Sequence, residues 1–218
     1  MRRIANLIAG KWAAPQDGKY FDDHNPATGE KIAEIPSSTA GDIKTAVAGA
    51  QAAQPEWGAL PVEERAVWLD SIASALEARS DEIAELESKD TGKPVALARE
   101  VDAARSALNF RFFAKLVREL PDEQYKMEDA LNVVVRKPVG VAGLITPWNL
   151  PLYLLSWKVA PAILMGNCVV CKPSRLTPLT ANLLAEVVTE VGLPPGVVNL
   201  VHGSGSKCGQ ALVEHPAV

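Results

Sequence analysis

Cysteine is scarce in this 218-residue chain. Cys168, Cys171 and Cys208 are too few, and odd in number, for a disulfide framework, which fits a reducing compartment. Cys168 and Cys171 form a C-x-x-C, but no second pair completes a zinc site. They flank Val169 and Val170 in what reads as a buried strand, so both are taken as core residues and no metal is expected. Long apolar runs are missing as well. No stretch reaches the roughly 18 uninterrupted apolar residues of a membrane span, and the apolar patch of MRRIANLIAGKW is broken by Asn6 and Gly10, unlike a signal peptide. Nor does charge of one sign dominate: 22 basic residues stand against 26 acidic ones, a net charge of -4 with no long run of either. The electrostatic footprint of a nucleic-acid binder is therefore absent. A soluble cytoplasmic protein without membrane or nucleic-acid partners is the expectation. The chain also lacks G-x-S-x-G, H-E-x-x-H and EF-hand patterns, which leaves hydrolase, zincin and calcium readings without support.

What the chain does have is a 48% hydrophobic content, enough for a core, in two textures. The first begins with short strands in NLIAGKW and HNPATGEKIAEIP, the latter turning at Pro26 and Gly29. Helices follow. Thr39 and Asp42 resemble a capping box, Pro61 suits the first turn of a second helix with the stripe Val62, Ala66, Leu69, Ile72, Ala73 and Leu76, and Ser80 is placed to cap a third. After the break at Gly92-Lys93-Pro94, a pattern through Val101, Ala104, Leu108, Phe112 and Leu116 predicts a long helix ending before Pro121. Asp90 to Pro94 is not a P-loop, because Glu87 stands where its first glycine belongs and Pro94 where Ser or Thr belongs.

Beyond Pro121, the β-branched run Val133 to Val135 predicts extended structure. Strands then alternate with helices: VGVAGLI, PLYLLSWKVAPAIL, NCVVCKP, TPLTANLLAEVVTEVG, GVVNLVHG and SKCGQALVEH. That order predicts an α/β fold with part of a parallel, doubly wound sheet. Ligands of such sheets bind beyond the carboxyl ends of the strands. The polar candidates there are Trp148 and Asn149 between Pro147 and Pro151, then Lys172, Pro173, Ser174 and Arg175, then the turn from Gly203 to Gly209. Lysine can bond ribose hydroxyls or phosphate, and the arginine fork suits phosphate; a solvated loop is the equal alternative. Gly203, Gly205 and Gly209 give G-x-G-x-x-x-G, one residue longer than the dinucleotide fingerprint, so a plain tight turn stays open too. Cys208 follows Lys207 near a helix start but has no base placed beside it, and packing is the favoured role. The alternation calls for a further strand after EHPAV, so an unpaired sheet edge is expected.

GKW, NPATGE, DTGKP, PVGVAGLITPWNLPL, WKVAPAILMGN, CKPS and GLPPGVVNLVHGSG together resemble the N-terminal part of the NAD(P)-dependent aldehyde dehydrogenase superfamily, over nearly the whole chain. ESKDTGKPVALA, NFRFFA and TPWNLPLYLLSWK are similar in particular to the 2-aminomuconic and 2-hydroxymuconic semialdehyde dehydrogenase branch. The resemblance implies an oxidoreductase that converts an aldehyde to its acid with NAD or NADP. In that family Asn149 would donate to the oxyanion. Ile145, Thr146, Pro147 and Trp148 would line the cofactor cleft with Asn149. Lys172 would bind the adenosine ribose beside Pro173 and Ser174, and Gly205 and Gly209 would lie near the cofactor. Lys158 would serve a charge relay, with a structural ion pair as the alternative. Arg175 stands where NAD users have glutamate, and having no acceptor it favours the 2′-phosphate of NADP. The family's nucleophilic cysteine and general-base glutamate have no match here, so the expected object is a fragment, inactive alone, of a homo-oligomeric enzyme. The implied parts are residues 1–121, helical and coenzyme-binding, residues 122–139, an oligomerisation arm, and residues 140–218, the Rossmann-like portion. The competing reading is a non-catalytic cofactor-binding or interaction protein.

Overall fold

The computed structural model describes residues 2–119 and 123–218. The helix end before Pro121 and the boundary between residues 121 and 122 lie outside the described residues. The chain opens with five short strands: β1 (Arg2–Arg3), β2 (Asn6–Ile8), β3 (Lys11–Ala13), β4 (Tyr20–His24) and β5 (Lys31–Pro36). β2 and β3, the short strands expected in NLIAGKW, pair as a hairpin turned by Ala9 and Gly10 at positive φ, +48° and +75°. β4 and β5 pair across a turn in which the Asn25 side chain accepts from the Ala27 N–H at 2.9 Å.

Helix α1 (Ala40–Ala59) starts where Thr39 and Asp42 predict it: the Asp42 carboxylate accepts from the Thr39 N–H at 2.7 Å and from its hydroxyl at 3.1 Å. Helices α2 (Val62–Ala78) and α3 (Ser80–Thr91) follow. Ala66, Leu69, Ile72, Ala73 and Leu76 are all buried, as their spacing predicts. Ser80 does not cap α3. It is the helix's first residue, and Arg79 takes the cap position, its side chain bonding Glu82, Glu186 and Glu190 instead. Gly92 ends α3 in the left-handed region.

A short α4 (Val95–Leu97), a π-helical stretch (Ala98–Ala103) and α5 (Ala104–Glu119) then run on. Here the predicted face is the wrong one. Ala104, Leu108, Phe112 and Leu116 are exposed, whereas Ala103, Ala107, Phe110 and Ala114 are buried. Counting large side chains misread a face made mainly of alanines, which let α5 lie close against α2 and α6.

The remaining elements are β6 (Gln124–Lys126) and β7 (Leu131–Val133), an exposed hairpin, then β8 (Val141–Ile145), α6 (Pro151–Leu164), β9 (Cys168–Lys172), α7 (Leu179–Glu190), β10 (Val198–Leu200), a π-helical turn (Gly205–Gly209) and α8 (Gln210–Val213). The α/β alternation is the one the sequence predicts. β8, β9 and β10 are parallel, in the sheet order β3-β2-β10-β9-β8. The N-terminal hairpin thus covers the outer side of β10, a pairing that local pattern did not foresee. Buried amides fasten it: Asn199 donates to Val169 O at 3.1 Å and Gly196 O at 2.8 Å while accepting from the Ala9 N–H at 2.8 Å. Among the described residues, β8 pairs only with β9. No helix among them is long and apolar enough to cross a membrane.

The core lies between this sheet and α1, α2, α5, α6 and α7. Two side chains hold the end of α6: the Trp57 indole donates to Ile163 O at 2.8 Å and the buried Arg65 donates to Leu164 O at 2.7 Å. Where α1 crosses the entry to β10, the backbone approach is tight. A Cβ on Gly196, whose φ is +90°, would stand 2.7 Å from Gly49 O and 2.9 Å from Ala53 Cβ. Gly196→Ala is therefore expected to destabilise the chain by about 1–3 kcal/mol, read as a lower urea midpoint at unchanged slope.

Candidate functional site

The polar groups singled out in the sequence sit at the carboxyl ends of the three parallel strands. Beyond β8 the chain makes a corner, Thr146 to Leu150, before α6 begins at Pro151, whose fixed φ suits a helix start. The corner is held through its backbone. Thr146 N–H donates to Lys172 O at 3.2 Å, the Thr177 hydroxyl donates to Trp148 O at 3.2 Å, and Lys93 Nζ donates to Asn149 O at 3.3 Å. Pro147, Trp148 and Asn149 are exposed, and the Asn149 amide makes no hydrogen bond among the described residues. Trp148 is 60% exposed. Thr146 is buried, with a hydroxyl that lacks a partner. Lys158, from the second turn of α6, donates to Ile145 O at 2.5 Å. No carboxylate among the described residues pairs with it, so the ion-pair alternative for Lys158 is not what the structure shows.

At the end of β9, Lys172 is buried, and its ammonium donates to Pro173 O at 2.7 Å and Gly203 O at 3.4 Å. Burial lowers its pKa. Two of its three protons are taken up, leaving one for a ligand. Pro173 is buried, Ser174 is half-buried with its hydroxyl accepting from the Leu176 N–H at 3.1 Å, and Arg175 points outward, exposed.

Beyond β10, His202 is buried with Nε2 unpartnered. Burial first, and the Lys172 charge second, push its pKa down to about 3, so the ring stays neutral. Gly203 is required by its neighbour, because a Cβ there would lie 2.4 Å from Cys208 Sγ. The Ser204 hydroxyl accepts from the Lys207 N–H at 3.2 Å and opens the π-helical turn. An added Cβ on exposed Gly205 would meet nothing within 4 Å, while one on buried Gly209 would lie 3.6 Å from Lys172 Cδ. Gly209 thus packs beside the lysine stem.

Lys172 is the residue that ties these pieces together. Its carbonyl holds the Asn149 corner, its ammonium reaches the Gly203 turn and its stem meets Gly209. Arg175 and Gly205 stay outside these contacts.

The cysteines behave as packing residues. Cys208 is buried and donates to Ser38 O at 2.9 Å, and burial pushes its thiol up to about 11. Cys168 and Cys171 are buried free thiols pushed up to about 12. A thiolate is the reactive form, so none of the three is activated.

Sequence reasoning passed over the groups beneath the corner. Lys93 stands in the sequence as part of a helix break and of the DTGKP mark, with no role of its own, yet its ammonium lies 2.8 Å from Asp102 Oδ2 and 3.7 Å from Glu87 Oε1. Both carboxylates are fully buried. Asp90, one turn beyond Glu87, accepts from the Leu179 N–H at 2.8 Å and so ties α3 to the start of α7. Burial drives the Glu87 and Asp90 pKa values up. The usable signal was the acid-rich helical spacing of Glu87 and Asp90 running straight into Gly92 and Lys93.

Residues 12–218 match the family model described as Aldehyde dehydrogenase family. The chain is 46% identical over 217 residues to 2-aminomuconic semialdehyde dehydrogenase of Danio rerio, covering 99% of this chain and 44% of that protein. It is 44% identical over 225 residues to 2-hydroxymuconic semialdehyde dehydrogenase of Pseudomonas sp. (strain CF600), covering 100% of this chain and 46% of that protein. The solved structure of PnpE in complex with nicotinamide adenine dinucleotide superposes with a TM-score of 0.94 at 41% identity, covering 99% of this chain and 44% of that one. The chain therefore spans just under half the length of these relatives.

His202 generates a pH test. Its folded pKa lies below the ordinary 6.5, so the stability it carries is whole above that value and is lost as pH falls toward about 3. Between pH 7 and pH 4.5, wild type should lose about 2.5 kcal/mol more than His202→Gln in urea unfolding, from a limiting slope of about 1.4 kcal/mol per pH unit. Parallel profiles would contradict the buried neutral imidazole.

Proposed function

The chain belongs to the aldehyde dehydrogenase family, and from that membership we propose that it serves the NAD(P)-dependent oxidation of a muconic-type semialdehyde to its carboxylic acid. The observation that carries this reading is the Asn149 corner. It is an exposed amide without a hydrogen bond among the described residues, at the carboxyl end of a parallel strand, with the backbone on both sides of it held by hydrogen bonds. A side-chain N–H preset in this way can donate to an aldehyde oxygen as it becomes negative, an effect typically of about 3 kcal/mol on the barrier.

Residues at these strand ends support a dinucleotide site. Lys172 keeps one proton for a ribose hydroxyl, Gly209 lies beside its stem, and Gly205 leaves its turn open. Ile145, Thr146, Pro147 and Trp148 run along the same strand end, with Pro173 and Ser174 flanking the lysine. A bound dinucleotide would supply the hydride acceptor. Arg175, exposed and without a carboxylate partner among the described residues, is suited to a 2′-phosphate. Lys158 fixes the Ile145 carbonyl at the mouth of this region, which supports a positioning or relay role.

The attacking thiol is none of this chain's three cysteines, since all are buried and held protonated. We assign residues 1–121 and 140–218 to coenzyme binding, joined in one sheet through β2, and residues 122–139 to an arm for a second copy. Tyr125, Met127, Leu131 and Val133, exposed on the β6–β7 hairpin, are the apolar surface that such a contact would cover.

Titration of the pure chain tests the site: NADP should bind more tightly than NAD, and Arg175→Glu should reverse the order. Failure of both dinucleotides to bind at millimolar concentration would remove the cofactor reading. The chain by itself should show no aldehyde-dependent reduction of NAD(P). A rate that Cys208→Ala abolishes would overturn the exclusion of that thiol.

A further inference from the structure

Asn149 is flanked by two peptide planes, and each is held from a different part of the molecule. The plane before it is fixed by the Thr177 hydroxyl, which donates to Trp148 O at 3.2 Å. The plane after it is fixed by Lys93, whose ammonium donates to Asn149 O at 3.3 Å. Peptide units are rigid, so holding both planes sets φ and ψ of Asn149 and with them the direction of its Cα–Cβ bond. No hydrogen bond among the described residues holds the amide itself. The aim of that side chain therefore depends on the two backbone bonds, and one of them comes from a lysine 56 positions earlier in the chain.

An ordinary surface lysine would be a poor anchor, because its long stem is mobile. Lys93 is not ordinary. Its side chain is only 14% exposed, and the ammonium sits against two carboxylates that are entirely buried, Asp102 at 2.8 Å and Glu87 at 3.7 Å. Its backbone is tied as well: the Ser88 hydroxyl donates to Lys93 O at 2.7 Å, directly after the left-handed turn at Gly92. The stem is already ordered by the carboxylates, so the bond to Asn149 O requires little further loss of freedom. The group connects the loop after α3 and the π-helical stretch before α5, through Asp102, to the start of α6.

We propose that Lys93 is a positioning residue for Asn149, acting through the Asn149 carbonyl and held in place by Asp102 and Glu87. Its bearing on oxyanion stabilisation rests on the dehydrogenase reading; the positional role does not. The test is nitrogen relaxation of the 218-residue chain in three variants, with the indole of Trp148 fluorinated as a second reporter on the same corner. Lys93→Met removes the donor but strands Asp102, so Lys93→Met with Asp102→Asn is measured beside it. In both, order parameters at Trp148, Asn149 and Leu150 should fall from about 0.85 to below about 0.6. Those of β9 and α2 should keep their values, and the Trp148 fluorine line should shift. Lys93→Arg, which restores a charged donor, should return the corner toward wild type. A corner that stays rigid in the double variant overturns the proposal. So does a loss of order that spreads equally into β9, or a double variant that fails to fold, since each would assign Lys93 to the core alone. Neither dinucleotide nor aldehyde is present in this measurement. A loosened corner in a chain that binds no NAD(P) would leave the positional role standing and remove the dehydrogenase reading.

Discussion

A guanidinium surrounded by carbonyls, rather than by carboxylates, underlies the placement of nearly everything else. Arg65 is buried on α2, and its hydrogen bonds go to Leu164 O at the end of α6 and to Trp57, Gly58 and Leu60 carbonyls at the end of α1. The last carbonyls of a helix have no partners within it and carry roughly half a negative charge. Two such ends meeting in the interior would be costly to leave bare, and a five-donor fork can serve both. Desolvation lowers the Arg65 pKa, as expected of a cation held by dipoles rather than by a counter-ion. Lysine, a single point charge, is no substitute at a position that bonds several carbonyls in different directions. Since α6 is fixed at its far end by Arg65 and Trp57, its near end, the corner with Asn149, inherits a defined position.

A related device recurs around the strand ends, where several polar side chains bond the main chain. Lys172 bonds two carbonyls, Lys158 one and Lys93 one, while Asn199 and Asn6 use their amides to tie turns and strands. Buried side chains that bond the main chain fix its path, which a surface ion pair does only weakly. The cations of the region thus fix the path of the main chain around the strand ends. The thiols nearby contribute volume and no chemistry.

Much of this was legible from local pattern. PLYLLSWKVAPAIL marks α6 to the residue, and the alternation of strand and helix from Val141 onward gives the parallel order. Thr39 with Asp42, and Gly92, mark a helix start and a helix end because capping chemistry is confined to a few residues. The failures share one cause: a local pattern reports that a face is buried without saying against what. Alanines on α5 are invisible to a count of large side chains, although close helix contact requires them. The docking of β2 on β10 joins residues nearly two hundred apart, and no local periodicity carries that. Lys93 failed the motif test applied to it, and its partner Asp102 and its target Asn149 meet it only in space. Asn149 stands between two prolines, but the bonds that hold its corner come from Thr177 and Lys93.

The sheet's two outer strands are unlike. β3 is three residues long and carries Lys11, which blunts it as a template for pairing, whereas β8 presents Val-Ala-Gly-Leu-Ile without a charge. β8 is for that reason the less protected edge. A strand that joins β8 in the parallel sense has its carboxyl end delivered beside Ile145 and Thr146, over the corner that presents Asn149. Whatever polypeptide supplies it, its own or another's, the act of extending the sheet and the act of walling in the amide would be a single event.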